Sequence, residues 1–119
     1  MRLPWGAVRI MGCTRVEFVR WWHSFTQDKN DFAAHNQASV VVQNVVSHVV
    51  GDVTSSACRV QFTIEELDPR RLGLAVIPQL KVSIRFVNVQ TGETGEQYET
   101  DAAVAWVAKF DHYTQRGGG

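Results

Sequence analysis

The chain has 119 residues, of which 12 are basic and 12 acidic, so its formal net charge is zero. This length fits one domain, residues 1–119, and the 45% hydrophobic and 20% charged content is typical of a folded globular protein. The balanced charge gives no basis for a nucleic-acid-binding protein or a polybasic membrane anchor.

The cysteines bear on the cellular compartment. Cys13 and Cys58 are too few and too far apart for a disulfide framework, and without a CxxC pair a thiolate zinc site is not expected. A reducing, cytoplasmic location is therefore predicted. The longest uncharged stretch, residues 32–51, carries two histidines and several amides and hydroxyls, so we expect no membrane span.

Valine dominates the aliphatic content, with 18 valines against five leucines and four isoleucines. β-branched side chains lose rotamer freedom in helices and pack well on a pleated surface. The composition thus favours a sheet before any periodicity is considered.

The first predicted element is a helix over residues 14–25, after a start, residues 1–13, that we expect to be flexible. Its apolar residues recur at three- and four-residue spacing on two flanks, which is more surface than one packing face needs. Either the helix is nearly buried or one flank docks on another chain. A polar turn is predicted over 27–31.

Residues 38–53 are open to two interpretations. Their valines come in pairs at 41/42, 45/46 and 49/50, a four-residue repeat that is typical of an amphipathic helix. So many valines are poor helix composition and favour a strand instead. On the residues alone, the helix is slightly favoured.

The second half of the chain alternates apolar and polar residues. Residues 58–64 and 80–86 are predicted strands, and 67–71 is a predicted loop. A glycine-containing turn over 90–96 leads to a predicted return strand over 98–110, which makes residues 80–110 a long antiparallel hairpin. Residues 114–119 are predicted as a flexible tail.

These elements predict an α+β fold, with a three- to four-stranded antiparallel sheet packed on one or two N-terminal helices. The four histidines lack the spacing of a metal site, and we predict no metal and no cofactor. No nucleophile, base and orienting group stand in a recognisable pattern, so a non-catalytic protein is expected. The enzyme alternative is a small α+β cone with a pocket near Asp111 and His112.

The predicted sheet has more apolar surface than one helix can cover. A flat apolar surface is desolvated easily, so we expect a homo-oligomer or a surface that binds a protein or peptide client. The candidate contact residues are Trp21, Trp22, Phe25, Val87, Val89 and Trp106.

The order of elements over residues 59–117 resembles that of the SecB-like export-chaperone family, in particular relatives that accompany toxin–antitoxin systems. The resemblance rests on a strand over 59–65, an Asp-Pro loop, a hairpin of 80–86 with 99–110, and the alternating run 104–113. The family's helices after the sheet have no counterpart in the sequence that follows.

The resemblance implies a four-stranded antiparallel sheet with helices on one side, assembly into dimers and tetramers, and no catalytic residue. It also implies that residues 38–53 form the first strand and residues 14–34 the helix before it. The leading hypothesis is a chaperone-like protein that holds unfolded or partner segments on apolar surface. The alternative is a structural subunit of a larger assembly.

Overall fold

In the computed structural model, residues 7–26, 39–50 and 58–118 are described. They form one antiparallel sheet with the strand order β1-β5-β4-β3-β2 and two helices. The α+β class and the antiparallel sheet are confirmed, but the sheet has five strands and one helix follows it. The elements are β1 (Val8–Met11), α1 (Arg15–Thr26), β2 (Ser39–Val42), β3 (Val45–Val50), β4 (Cys58–Leu72), β5 (Ala75–Asn88), a short 3-10 turn (Glu96–Tyr98) and α2 (Asp101–Gly118).

The core lies between the sheet and the two helices, which pack on the same face. Phe62 in β4 is at its centre, with its ring 5.2 Å from Trp22 of α1 and 5.4 Å from Phe110 of α2. Alternate residues of the central strands point to this side because strand side chains alternate between faces. They are Val46, His48 and Val50 of β3, Cys58, Val60, Phe62 and Ile64 of β4, and Leu80, Val82, Ile84 and Phe86 of β5.

Helix α1 confirms the predicted helix, and its start has a capping box. The Thr14 hydroxyl accepts a hydrogen bond from the Glu17 N–H, and the Glu17 carboxylate accepts one from the Thr14 N–H, each at 3.1 Å. This exchange satisfies two N–H groups that lack helical partners. The predicted turn over 27–31 lies outside the described residues.

Residues 39–50 form a hairpin, so the helix favoured for 38–53 is wrong and the strand interpretation is right for this part. β2 and β3 pair from Val42 opposite Val45 to Ser39 opposite His48. Gln43 and Asn44, which separate the first two valine pairs, form the turn, where Gln43 has φ 53°. Arg15 of α1 holds that turn, since its guanidinium donates to the Asn44 side chain at 2.7 Å and to the Gln43 carbonyl.

The predicted return strand over 98–110 is also wrong, because residues 101–118 are helix α2. The Thr100 hydroxyl accepts a hydrogen bond from the Ala103 N–H at 3.1 Å and caps the helix. Alanine suits a helix best, and the run is rich in it. The buried residues are Ala103, Val107, Phe110, Asp111 and Thr114, at helical spacing.

The long hairpin of the fold is therefore β4 with β5. Strands were predicted over 58–64 and 80–86, and both are confirmed, but the loop predicted over 67–71 continues β4 through a bulge between Leu67 and Arg70. Of the ends predicted to be flexible, residues 8–11 form β1, and α2 continues to Gly118.

Candidate protein-binding surfaces

Strands β4 and β5 continue beyond the rest of the sheet as a two-stranded arm, residues 65–79. β3 pairs with β4 as far as Thr63, and β1 pairs with β5 as far as Leu80. Past these points the two strands pair only with each other, to Leu72 opposite Ala75. At about 3.3 Å per residue, the arm reaches roughly 25 Å from the body.

The tip of the arm is apolar and exposed. Gly73 has φ 63° at the first position of the two-residue turn, which a type II′ turn requires and glycine adopts without strain. Leu74 follows at the second position and is fully exposed, while Leu72 and Val76 are 50% and 55% exposed. Three large aliphatic side chains thus meet solvent at the end of the arm, with Leu72 and Val76 on its opposite faces.

The charged residues of the arm are sorted by distance from the body. Glu65, Glu66 and Asp68 lie in the half near the sheet, and Arg70 and Arg71 lie beside the tip. All five are exposed. The arm therefore has an acidic base, a basic outer half and an apolar end.

A depression of about 330 Å³ lies at the base of the arm. One side is the start of α1, residues 13–16, and the other is the first part of the arm with Leu80. Val16 at its rim is 61% exposed. Its apolar lining comes from Cys13, Val16, Leu67, Pro69, Pro78 and Leu80.

The face of the sheet opposite the helices forms a second surface. Its centre is polar, with Gln61, Thr63 and Ser83 in the middle strands. Its edges are apolar. The exposed edge residues are Val8 and Ile10 in β1, and Val40 and Val42 in β2.

Three of the four aromatic residues predicted to contact a partner, Trp22, Phe25 and Trp106, lie in one cluster between the helices. The Trp106 ring lies 5.4 Å from Trp22 and 5.3 Å from Phe25, and it stacks on buried His48 at 4.9 Å. Trp22 is fully buried, so in this fold it packs the core. Phe25 and Trp106 are half-buried members of this cluster, and Trp21, also half-buried, packs against the core.

The two valines predicted as contact residues lie at the end of the sheet opposite the arm. Val87 points away from the helices but is buried, and it bridges to Thr94 in the following loop. Val89 is 42% exposed. Of the six predicted contact residues, Val89 is thus the most accessible, and it stands apart from the aromatic cluster.

Asp111 and His112, the enzyme alternative, face different surroundings. Asp111 is buried and its carboxylate lies 3.0 Å from the Arg9 guanidinium of β1. Burial raises the pKa of Asp111 to about 6, against the lowering effect of Arg9. His112 is exposed and lines a shallow surface of α2 with Ala108, Lys109 and Tyr113. Asp111 thus faces β1, and His112 faces the outer surface of α2.

Sequence reasoning missed the arm. The signal for it was Gly73 between Leu72 and the apolar run 74–77, because a glycine at the turn is typical of a tight hairpin. Pro69 and Pro78 argued against strands on either side of this turn, because proline is rare in central strands. In an arm with open edges, both positions are tolerated.

The chain matches no family model, and no curated protein or solved structure is significantly similar to it. Within residues 7–26, 39–50 and 58–118, no group of three or more potential ligand side chains is placed to hold a metal ion. No helix in that part of the chain has the length and apolarity needed to span a bilayer.

Proposed function

We propose that this protein is a non-catalytic binding protein that holds other polypeptide chains on apolar surface, with the arm as its principal contact. The observation that carries the proposal is the exposed group Leu72, Leu74 and Val76 at the end of a projecting hairpin. A two-stranded hairpin has little stability alone in water. Burying one such aliphatic side chain contributes about 1.5–3 kcal/mol, so a partner that covers the tip binds and stiffens the arm together.

The chaperone-like form of this proposal uses the outer sheet face as well. Exposed valines on both edge strands, with a polar centre between them, suit extended segments that lie along an edge. A relationship to the SecB-like family is proposed with it, supported by an antiparallel sheet with both helices on one face. A cytoplasmic location belongs to the same proposal, because both cysteines are buried free thiols.

The second candidate function, a structural subunit of a larger assembly, is favoured by the charges of the arm. Acidic residues at the base and basic residues beside the tip fix the direction in which a partner can lie. A surface that binds many unrelated segments does not require charged residues in a fixed order.

The test replaces the tip residues together, as Leu72→Ser, Leu74→Ser and Val76→Ser. The probe is a reduced, carboxymethylated and permanently unfolded protein, whose binding is followed by fluorescence anisotropy and whose aggregation is followed by light scattering. The triple variant is expected to lose binding while its melting temperature stays near that of the wild type, because the replaced side chains are exposed.

The control is Ala105→Ser, an exposed apolar residue of α2 outside the arm and outside the predicted contact residues. Equal binding by the wild type and the triple variant, or none by either together with a strictly monomeric wild type, contradicts the proposal. Absence of probe binding with a stable homo-oligomer favours the structural subunit.

A further inference from the structure

We propose that the partner of the arm is a second copy of this chain: two arms lie antiparallel about a twofold axis, and each tip occupies the depression at the base of the other arm. The inference rests on the proposed binding role of the arm and names its occupant.

The charge order of the arm is the first support. A twofold interface brings one surface patch against itself, so that patch must be complementary to its own reversed copy. Reversing the arm places Arg70 and Arg71 of one copy beside Glu65, Glu66 and Asp68 of the other, at both ends of the interface. A parallel arrangement would instead place like charges together, which costs several kcal/mol.

The shape of the chain is the second support. The tip and the depression lie at opposite ends of the arm, so two arms crossing at their midpoints bring both tips to both depressions at once. Val76, which lies on the helix side of the arm, and Leu74 at the turn then meet the apolar lining of the 330 Å³ depression, while Leu72 lies on the opposite face of the arm.

The contact is made by side chains, not by joining the edges of the two hairpins. Pro69 has no N–H to donate, and the bulge between Leu67 and Arg70 interrupts the open edge of β4. These features prevent strand-to-strand growth, which would lead to open fibres, and leave the closed pair as the favoured association.

The first experiment measures the molar mass of the protein by light scattering coupled to size exclusion, at protein concentrations from micromolar to nearly millimolar. The wild type is expected to be a dimer. Variant A carries Arg70→Glu and Arg71→Glu, and variant B carries Glu65→Arg, Glu66→Arg and Asp68→Arg. Each alone is expected to weaken dimerisation by about 100-fold or more, because like charges then face each other.

An equimolar mixture of A and B is expected to form a mixed dimer, since opposite charges meet again at both ends. Circular dichroism confirms that each variant is folded, and Arg20→Glu with Lys109→Glu on the exposed helix surfaces is the matched control. Recovery in the mixture cannot come from a folding defect, so it shows that the two arms contact each other. Because the arm of A is wholly acidic and that of B wholly basic, the orientation is decided by the disulfide experiment below.

A second experiment locates the tip. Leu74→Cys and Val16→Cys proteins, mixed under mild oxidation, are expected to form a disulfide-linked pair, and Leu74→Cys with Val89→Cys is not. A monomeric wild type, or A and B that fail to associate, overturns the homodimer. If the tip residues are still needed to bind the unfolded probe, the proposed function stands and only its occupant is wrong; if they are not, both fail.

Discussion

Arg9 and Asp111 join the first strand to the last helix, and their burial makes the pair sensitive to pH. The side chains are about one-tenth exposed, and their charged groups lie 3.0 Å apart. Desolvation raises the pKa of Asp111 to about 6, above the value of about 3.9 for an unperturbed aspartate. The folded chain therefore holds this proton more tightly than the unfolded chain does.

The consequence is a stability term that is present at low pH and lost as pH rises through about 6. Asp111→Asn removes the titration, so the free energy of unfolding of the variant relative to wild type should rise by up to about 3 kcal/mol between pH 4 and pH 7. Urea unfolding at four pH values measures it, with the exposed Asp68→Asn as control. Parallel curves for Asp111→Asn and wild type would refute the assignment.

The two thiols are expected to be inert in the folded protein. Cys13 and Cys58 are each 1% exposed, and burial raises both pKa values, that of Cys13 to about 11. Because the thiolate is the reactive form, reaction with Ellman's reagent at pH 8 should be about 100-fold slower than in guanidinium. A Val89→Cys variant, with an exposed thiol, checks the reagent. A fast reaction of one thiol equivalent with the reagent in the folded wild type would contradict the expected inertness.

Helix α2 begins at a capping residue, and the cap and the alanines favour a helix, although the same segment also alternates like a strand. Thr100 accepts the Ala103 N–H, and the alanines that follow have the best helix propensity. The valine pairs of residues 39–50 form strands instead, because β4 pairs with every residue of β3 from Val45 to Val50. Each segment was locally ambiguous, and its neighbours decided it.

Thr100→Ala is expected to lower the free energy of unfolding by about 1 kcal/mol through loss of the cap. Thr100→Ser keeps the hydroxyl and should stay close to wild type. Urea denaturation followed by circular dichroism at 222 nm measures both. Equal losses in the two variants would mean that the methyl group, not the cap, matters.

For the molecule as a whole, Trp22 connects the layers. Its ring packs on Phe62 of the sheet and on Phe110 of α2, and its Nε1–H donates to Ser39 at 2.8 Å, the first residue of edge strand β2. Helix α1 therefore holds the edge of the sheet as well as its centre. Its bonds to the β2–β3 turn through Arg15 act on the same strand.

Trp22→Phe keeps a buried ring but removes the donor to Ser39. We expect a loss of about 1–3 kcal/mol, with faster amide exchange in β2 than in β4, because the edge strand loses its tie to α1. Hydrogen exchange with mass spectrometry resolves the two strands. Ser39→Ala is the matched control and should reproduce the local change in β2 with a smaller global loss. Uniform acceleration across the sheet would contradict a local role.

The sequence alone determined α1, the inner faces of β4 and β5, and the sheet-rich α+β class, because each of these has one clear period and apolar residues on one side. Only the tertiary structure decided that 101–118 is a helix, that 39–50 is a hairpin, and that Arg9 meets Asp111. The period of the apolar residues indicates which face of an element is buried, but runs of alanine and valine fit both the helical and the strand period. Whether such a run forms a helix or a strand depends on whether another strand is available to pair with it, and that strand can be distant in the sequence.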